Sequence, residues 1–221
     1  MKHLLLSASL LLFSNLLIAQ LHVQPNPSSS TDSYVYANDV VLYVHQDVSL
    51  VNNINDATTN ASIYLRGDAQ LIQGDKAASL NSGNGKLSVW QRGRTNNFGY
   101  HNWSTPVGNP LLSTSGNTNF GIRSFYDVQL NSGTPHPTHS VQQISTTNLN
   151  GTRDPLRISS RWIYVLRGLG NYSNWVYIAN NDGILPGDGY TMKGTIGTTS
   201  TNPQLYDFRG RPNDGTIDKG S

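Results

Sequence analysis

The 221-residue chain balances 15 basic residues against 13 acidic ones and contains no cysteine. Because the basic residues are dispersed, the charge speaks against nucleic acid and polyanionic membrane surfaces as partners; the missing thiols rule out a disulfide scaffold and an acylated-cysteine anchor. Every acidic residue is an aspartate, Ala and Lys are sparse, and Asn, Ser, Thr, Gly, Val and Tyr are abundant, which favours strands and tight turns and predicts an all-β protein.

At the N-terminus, Met1-Lys2-His3 leads into an apolar run over residues 4–18 and a small-residue step at Ala19-Gln20. This predicts a secretory signal peptide over 1–19, too short to span a bilayer, where about 20 apolar residues are needed. Its removal leaves 202 residues (221 − 19) and 14 basic against 13 acidic groups, with no later segment able to cross a membrane as a helix. Residues 20–33, with Pro25, Pro27 and Ser28-Ser29-Ser30, are expected to be a flexible lead-in.

Structure is expected from Tyr34. Residues 40–53 (VVLYVHQDVSLVNN) align without gaps on residues 61–74 (ASIYLRGDAQLIQG) at a spacing of 21, matching Tyr43 with Tyr64, Asp47 with Asp68 and Leu50 with Leu71. A weaker third copy follows at Leu87-Ser88-Val89-Trp90. Each unit reads as strand, polar corner, strand and Asn/Gly turn, which suits one coil of a parallel β-solenoid over residues 34–95. An antiparallel hairpin pair in a sandwich would give the same pattern, so both architectures stay open.

Beyond residue 95 the pattern changes to aromatic-rich strands and longer polar loops. Strands are expected over 123–130, 161–167, 175–179 and 189–194, with exposed excursions over 113–121 and 131–153. Asn180-Asn181-Asp182-Gly183 is a hairpin signal. The region 96–221 is expected to form an antiparallel sandwich or jelly roll that stops one strand short, as a truncated domain would.

Three blocks carry a resemblance: LSVWQRGRTNNFGYHNWSTPVG over 87–108, GILPGDGYTMKG over 183–194 and YDFRGRPNDGTI over 206–217. They resemble motifs in the N-terminal regions of Bacteroidota-type surface proteins exported by the type IX secretion system. The resemblance implies an exported, adhesin-like cell-surface protein that engages that secretion machinery; the family's downstream Asn-Pro-Tyr-Pro strand and sorting domain have no counterpart here. For the blocks themselves a structural role is expected, with Trp103 plugging the core beside Pro106 and glycines 187, 189 and 194 bracketing a short buried strand at Tyr190 and Met192.

No catalytic constellation emerges. Glycoside hydrolysis would have to rely on aspartates, and Asp182 and Asp188 sit in turn contexts. His136-Pro137-Thr138-His139 is a poor metal site, being Pro-interrupted and without a nearby Cys or Glu. Calcium is a candidate through Asp182, Asp188 and Asp214, although no known loop spacing is matched. No Gly-x-Ser-x-Gly, Gly-x-Gly-x-x-Gly or phosphate-binding loop occurs. The expectation is therefore a non-catalytic, adhesin-like surface protein. The alternative is a carbohydrate-binding module that uses some of its four tryptophans and eleven tyrosines, with Trp103, Trp162 and Trp175 as the glycan-contacting candidates. For Trp162 and Trp175, which fall within strand patterns, an inward core position is the competing expectation.

Overall fold

The computed structural model describes residues 21–29, 31–74, 81–109, 117–168, 174–179, 181 and 183–219. The expected signal peptide, Asn180 and Asp182 lie outside them. Within them the protein is all-β, with two short 3-10 turns and no α-helix.

The first eight strands are β1 (Leu21–Val23), β2 (Val35–Asn38), β3 (Val41–Val44), β4 (Val48–Leu50), β5 (Ile63–Arg66), β6 (Gln70–Gln73), β7 (Ser82–Gly83) and β8 (Leu87–Gly93). Their mutual pairings are all parallel and fall on three sides: β2-β5-β8, β3-β6 and β1-β4-β7. The chain therefore winds as a three-sided solenoid. Its buried apolar side chains are Ala37, Val44, Val48, Leu50, Ile63, Leu65, Leu87 and Val89, supplied by all three sides. A lone coil could not bury these side chains, so each depends on the next. Asn53 is fully buried and bridges coils, donating to the Ser33 and Ala61 carbonyls at 3.0 Å each. At β7 the backbone of Gly83, at φ 85°, passes so close to the coil above that a Cβ would stand 2.0 Å from the Leu50 oxygen.

Two expectations change. The stacked rungs do not follow the 21-residue spacing: Leu42 pairs with Leu71 and Tyr43 with Ile72, 29 positions on, while Val35 pairs with Ile63, 28 on, and Ile63 with Leu87, 24 on. The alignment had laid β3-corner-β4 onto β5-corner-β6, neighbouring sides of the coil that share a strand–corner–strand rhythm. The lead-in is also ordered at its start. Leu21–Val23 stacks on β4, with the Leu21 N–H donating to the Asp47 carbonyl at 3.1 Å and the Val51 N–H to the Val23 carbonyl at 2.8 Å.

The remaining strands are β9 (Tyr100–Ser104), β10 (Val107–Gly108), β11 (Phe125–Asn131), β12 (Thr134–Gln142), β13 (Gly151–Thr152), β14 (Ile163–Leu166), β15 (Trp175–Tyr177), β16 (Gly189–Lys193), β17 (Thr195–Ile196) and β18 (Gln204–Pro212). They do not form a separate body. β8, last rung of the solenoid, pairs antiparallel with β18 from Leu87↔Gly210 to Gly93↔Gln204, and β18 continues into β11 and β12, giving one seven-stranded sheet with β10 on the end of β18. The sheet crosses the boundary expected at residue 95.

An antiparallel layer, β15-β14-β16-β9, packs on the β18–β11 end of this sheet. Aromatic rings join the layers: Trp103 lies 5.3 Å from Tyr206 and 5.6 Å from Phe208, Phe120 stacks on Phe208 at 5.6 Å, and Phe125 sits 4.6 Å from Phe208. The solenoid interior and this sandwich interior form one continuous hydrophobic cluster.

The excursion expected over 131–153 contains the nine-residue strand β12. A tight turn at Ser132 and Gly133, both at positive φ, returns the chain along β11. Pro135 and Pro137 fall within it, and β12 is the outermost strand, where a residue without an N–H is tolerated. The Asn180–Gly183 signal also resolves differently. β15 pairs back onto β14, while Ile184 bridges to Phe120.

Candidate functional site

In a pleated strand, side chains alternate between faces. In the four-stranded layer Ile163, Val165, Tyr190, Met192 and His101 point into the sandwich and are buried. The other set then faces outward: Tyr164 and Leu166 on β14, Trp175 and Tyr177 on β15, Thr191 and Lys193 on β16, and Tyr100, Asn102 and Ser104 on β9. Pairing fixes their order across the sheet. Trp175 stands opposite Leu166, Tyr177 opposite Tyr164, Tyr164 opposite Thr191, and Thr191 opposite Asn102.

Trp162, in the 3-10 turn that opens β14, closes this row. Its indole N–H donates to the Leu149 carbonyl at 2.7 Å, its ring meets Tyr100 edge-on at 6.4 Å, and the Lys193 ammonium lies 4.9 Å over it. Tyr164 and Tyr177 lean together at 5.4 Å. Five rings thus run along one sheet face, and Leu166 to Trp162 alone covers about 13 Å at ~3.3 Å per residue. Tyr177 is 50% exposed, Tyr100 43% and Leu166 42%, and two residues before Tyr100 the Phe98 ring is 85% exposed. A contiguous exposed aromatic patch has a cost in water, which makes this face the candidate binding surface.

Of the tryptophans expected to contact a glycan, Trp162 and Trp175 are half-buried on this outer face rather than in the core. Trp103 is not with them. It shares the inward register of His101, stacks on that imidazole at 4.3 Å, and packs against the core. Tyr100, Tyr164, Tyr177 and Lys193 were missed; Tyr164 and Tyr177 each stand two residues from a flagged tryptophan, whereas Tyr100 and Lys193 join the row only through the pairing of β9 with β16.

The other constellations resolve as internal structure. His136 and His139 on β12 meet with their Nδ1 atoms 2.7 Å apart, so one must carry the proton that the other accepts; burial and the neighbouring imidazole hold His139 below the usual histidine range. Among the described residues no three His, Asp or equivalent ligands gather as a metal site. Asp188 accepts the Leu185 N–H at 3.0 Å and pairs with Lys219 at 2.5 Å, while Asp214 accepts the Asn81 N–H at 2.8 Å. Asp188 thus caps its own turn, Asp214 ties the chain after β18 to the residue before β7, and Asp182 lies outside the described residues.

The outer face of the seven-stranded sheet buries a charged cluster. Asp207 holds Arg209 at 2.7 Å and accepts the Ser88 hydroxyl at 2.6 Å, and Ser88 in turn accepts from Arg66 at 2.9 Å. The two guanidiniums donate further to the carbonyls of Leu65, Ser88, Pro137, Thr58 and Thr138. Arg66 lies 4.2 Å over the Trp90 ring. Burial drives Arg66 down to about 10, which still leaves it charged at neutral pH, and pushes the Tyr64 phenol beside it up to about 12. With its donors engaged on the protein's own carbonyls, this cluster ties β5, β8, β12 and β18 together rather than receiving a ligand.

Comparison with family models, curated proteins and solved structures finds no match to the chain in any of the three.

Proposed function

We propose that this is an exported, adhesin-like cell-surface protein without catalytic activity, and that it adheres by packing the outer aromatic face of its four-stranded layer against glycan chains. The observation that carries the reading is the placement of Trp162, Trp175, Tyr164, Tyr177 and Tyr100 on one exposed sheet face, bordered by Asn102, Ser104 and Thr191. Flat rings offer the apolar faces of pyranose sugars a complementary surface, and amides and hydroxyls beside them bond the sugar hydroxyls. Export is supported by the N-terminal sequence and by the resemblance of the three blocks to type IX-exported surface proteins.

Those blocks form β8, β9, β10, β16 and β18, the strands that join solenoid to sandwich. The resemblance thus concerns the scaffold, whereas Trp162, Tyr164, Trp175 and Tyr177 lie between the blocks. The test is titration of the mature chain with a panel of soluble polysaccharides, followed by tryptophan fluorescence. Binding is expected with a shifted emission, and W175A and Y177A together should weaken it about a hundredfold, at ~1–1.5 kcal/mol per lost ring contact. Unaltered binding by that double variant would refute the assignment of the face.

A further inference from the structure

Among the described residues the aromatic face carries a cation and no carboxylate. Of the outward residues on β9, β14, β15 and β16, the one charged group is Lys193, in the middle of the layer between Trp162 and Tyr100. Its ammonium donates to an amide oxygen, Asn150 Oδ1, at 3.0 Å. Exposed arginines stand at both ends of β14. Arg161 donates through Nε to the Thr147 carbonyl, and Arg167 through Nη2 to the Gly183 carbonyl at 2.7 Å. An ammonium has three N–H groups and a guanidinium five, so each cation keeps donors beyond the single bond named here. Arg161 lies in the 3-10 turn and Arg167 follows Leu166 in the register of Val165, so the two border β14 while Lys193 is the cation within the ring row.

We infer that the glycan this face takes is anionic, a polysaccharide bearing carboxylate or sulfate groups. Its pyranose faces lie on Trp162, Tyr164, Tyr177 and Trp175, and one acidic group is held by Lys193. This inference rests on the glycan-binding reading above and adds the charge of the ligand to it. A neutral sugar offers the Lys193 ammonium only hydroxyl acceptors, which hold it less strongly than an anion does. A uronate or sulfate beside Lys193 gains a charge-assisted hydrogen bond next to a ring that already excludes water from one side of the ammonium.

The experiment is calorimetric titration of the mature chain with three oligosaccharides of equal length: an oligogalacturonate, a sulfated galactan fragment and a neutral galactan fragment. Each is measured in 50 mM and 500 mM NaCl. Binding of one or both acidic oligomers about tenfold more tightly than the neutral one at low salt is expected, with the gap closing at high salt as the ions are screened; which acidic oligomer wins identifies carboxylate or sulfate as the source. Lys193→Gln should remove that preference, bringing the acidic oligomers down to the affinity of the neutral one, and Trp175→Ala should weaken all three. Equal affinities for acidic and neutral oligomers, or an acidic preference that survives Lys193→Gln, would overturn the inference and leave glycan binding standing. No binding to any of the three, nor to the wider polysaccharide panel, would overturn both.

Discussion

His101 is a buried imidazole between Trp103 and Tyr206, with its Nε2 lacking a hydrogen-bond partner. Burial drives it down to about 4 from the ordinary 6.5. The unfolded chain therefore takes up a proton before the folded one does. The stability is complete above pH 6.5 and drains away as the pH falls toward 4, by about 2 kcal/mol. Urea denaturation at pH 7 and pH 4.5 checks this, and His101→Phe should flatten that part of the profile. Asp207 poses the opposite case, an anion shared between two buried cations. Asp207→Asn should cost about 3–5 kcal/mol at pH 7, because it leaves both guanidiniums buried with no carboxylate. Neither role was legible in the sequence. Asp207 and Arg209 sit two apart in a segment whose other alternate positions are Tyr206 and Phe208, and only the covering residues at 58–60 and 137–138 make that second face an interior.

Among the elements, strand identity was easier to read than strand partnership. β14, β15 and β16 lie where aromatic and β-branched residues cluster between turns, and Tyr190 and Met192 are buried as their bracketing glycines suggested. What a single strand does not disclose is which of its faces looks inward, and this is where the tryptophans divided. On β9 the alternation itself held the signal: Tyr100, Asn102 and Ser104 make one polar-edged row, leaving His101 and Trp103 to the other. The solenoid was legible as repetition, but its rungs were not, because three sides of one coil resemble each other as closely as successive coils do. At the junction, Gly210 on β18 runs so close to β10 that an added Cβ would stand 1.9 Å from the Gly108 oxygen. Backbone on both sides has little room to yield, so Gly210→Ala should destabilise the protein by about 2 kcal/mol or more, read as a lowered urea midpoint with an unchanged slope.

At the scale of the whole molecule, the two expected regions share a sheet and a core, so they should melt as a unit. Far-UV circular dichroism, reporting mainly strands, and tryptophan emission, reporting the β8–β18 end, should trace coincident urea transitions. A fragment ending at residue 95 should fail to fold, since β8 would expose the edge that β18 covers over seven residue pairs. Two separated transitions would show instead that the coil stands alone.

The seven-pair ladder between β8 and β18 also determines how the protein bears load. Tension applied along these strands would reach the ladder lengthwise. Its hydrogen bonds would then have to give way together, not one after another as in a zip. A joint of this kind would hold without swivelling and yield abruptly.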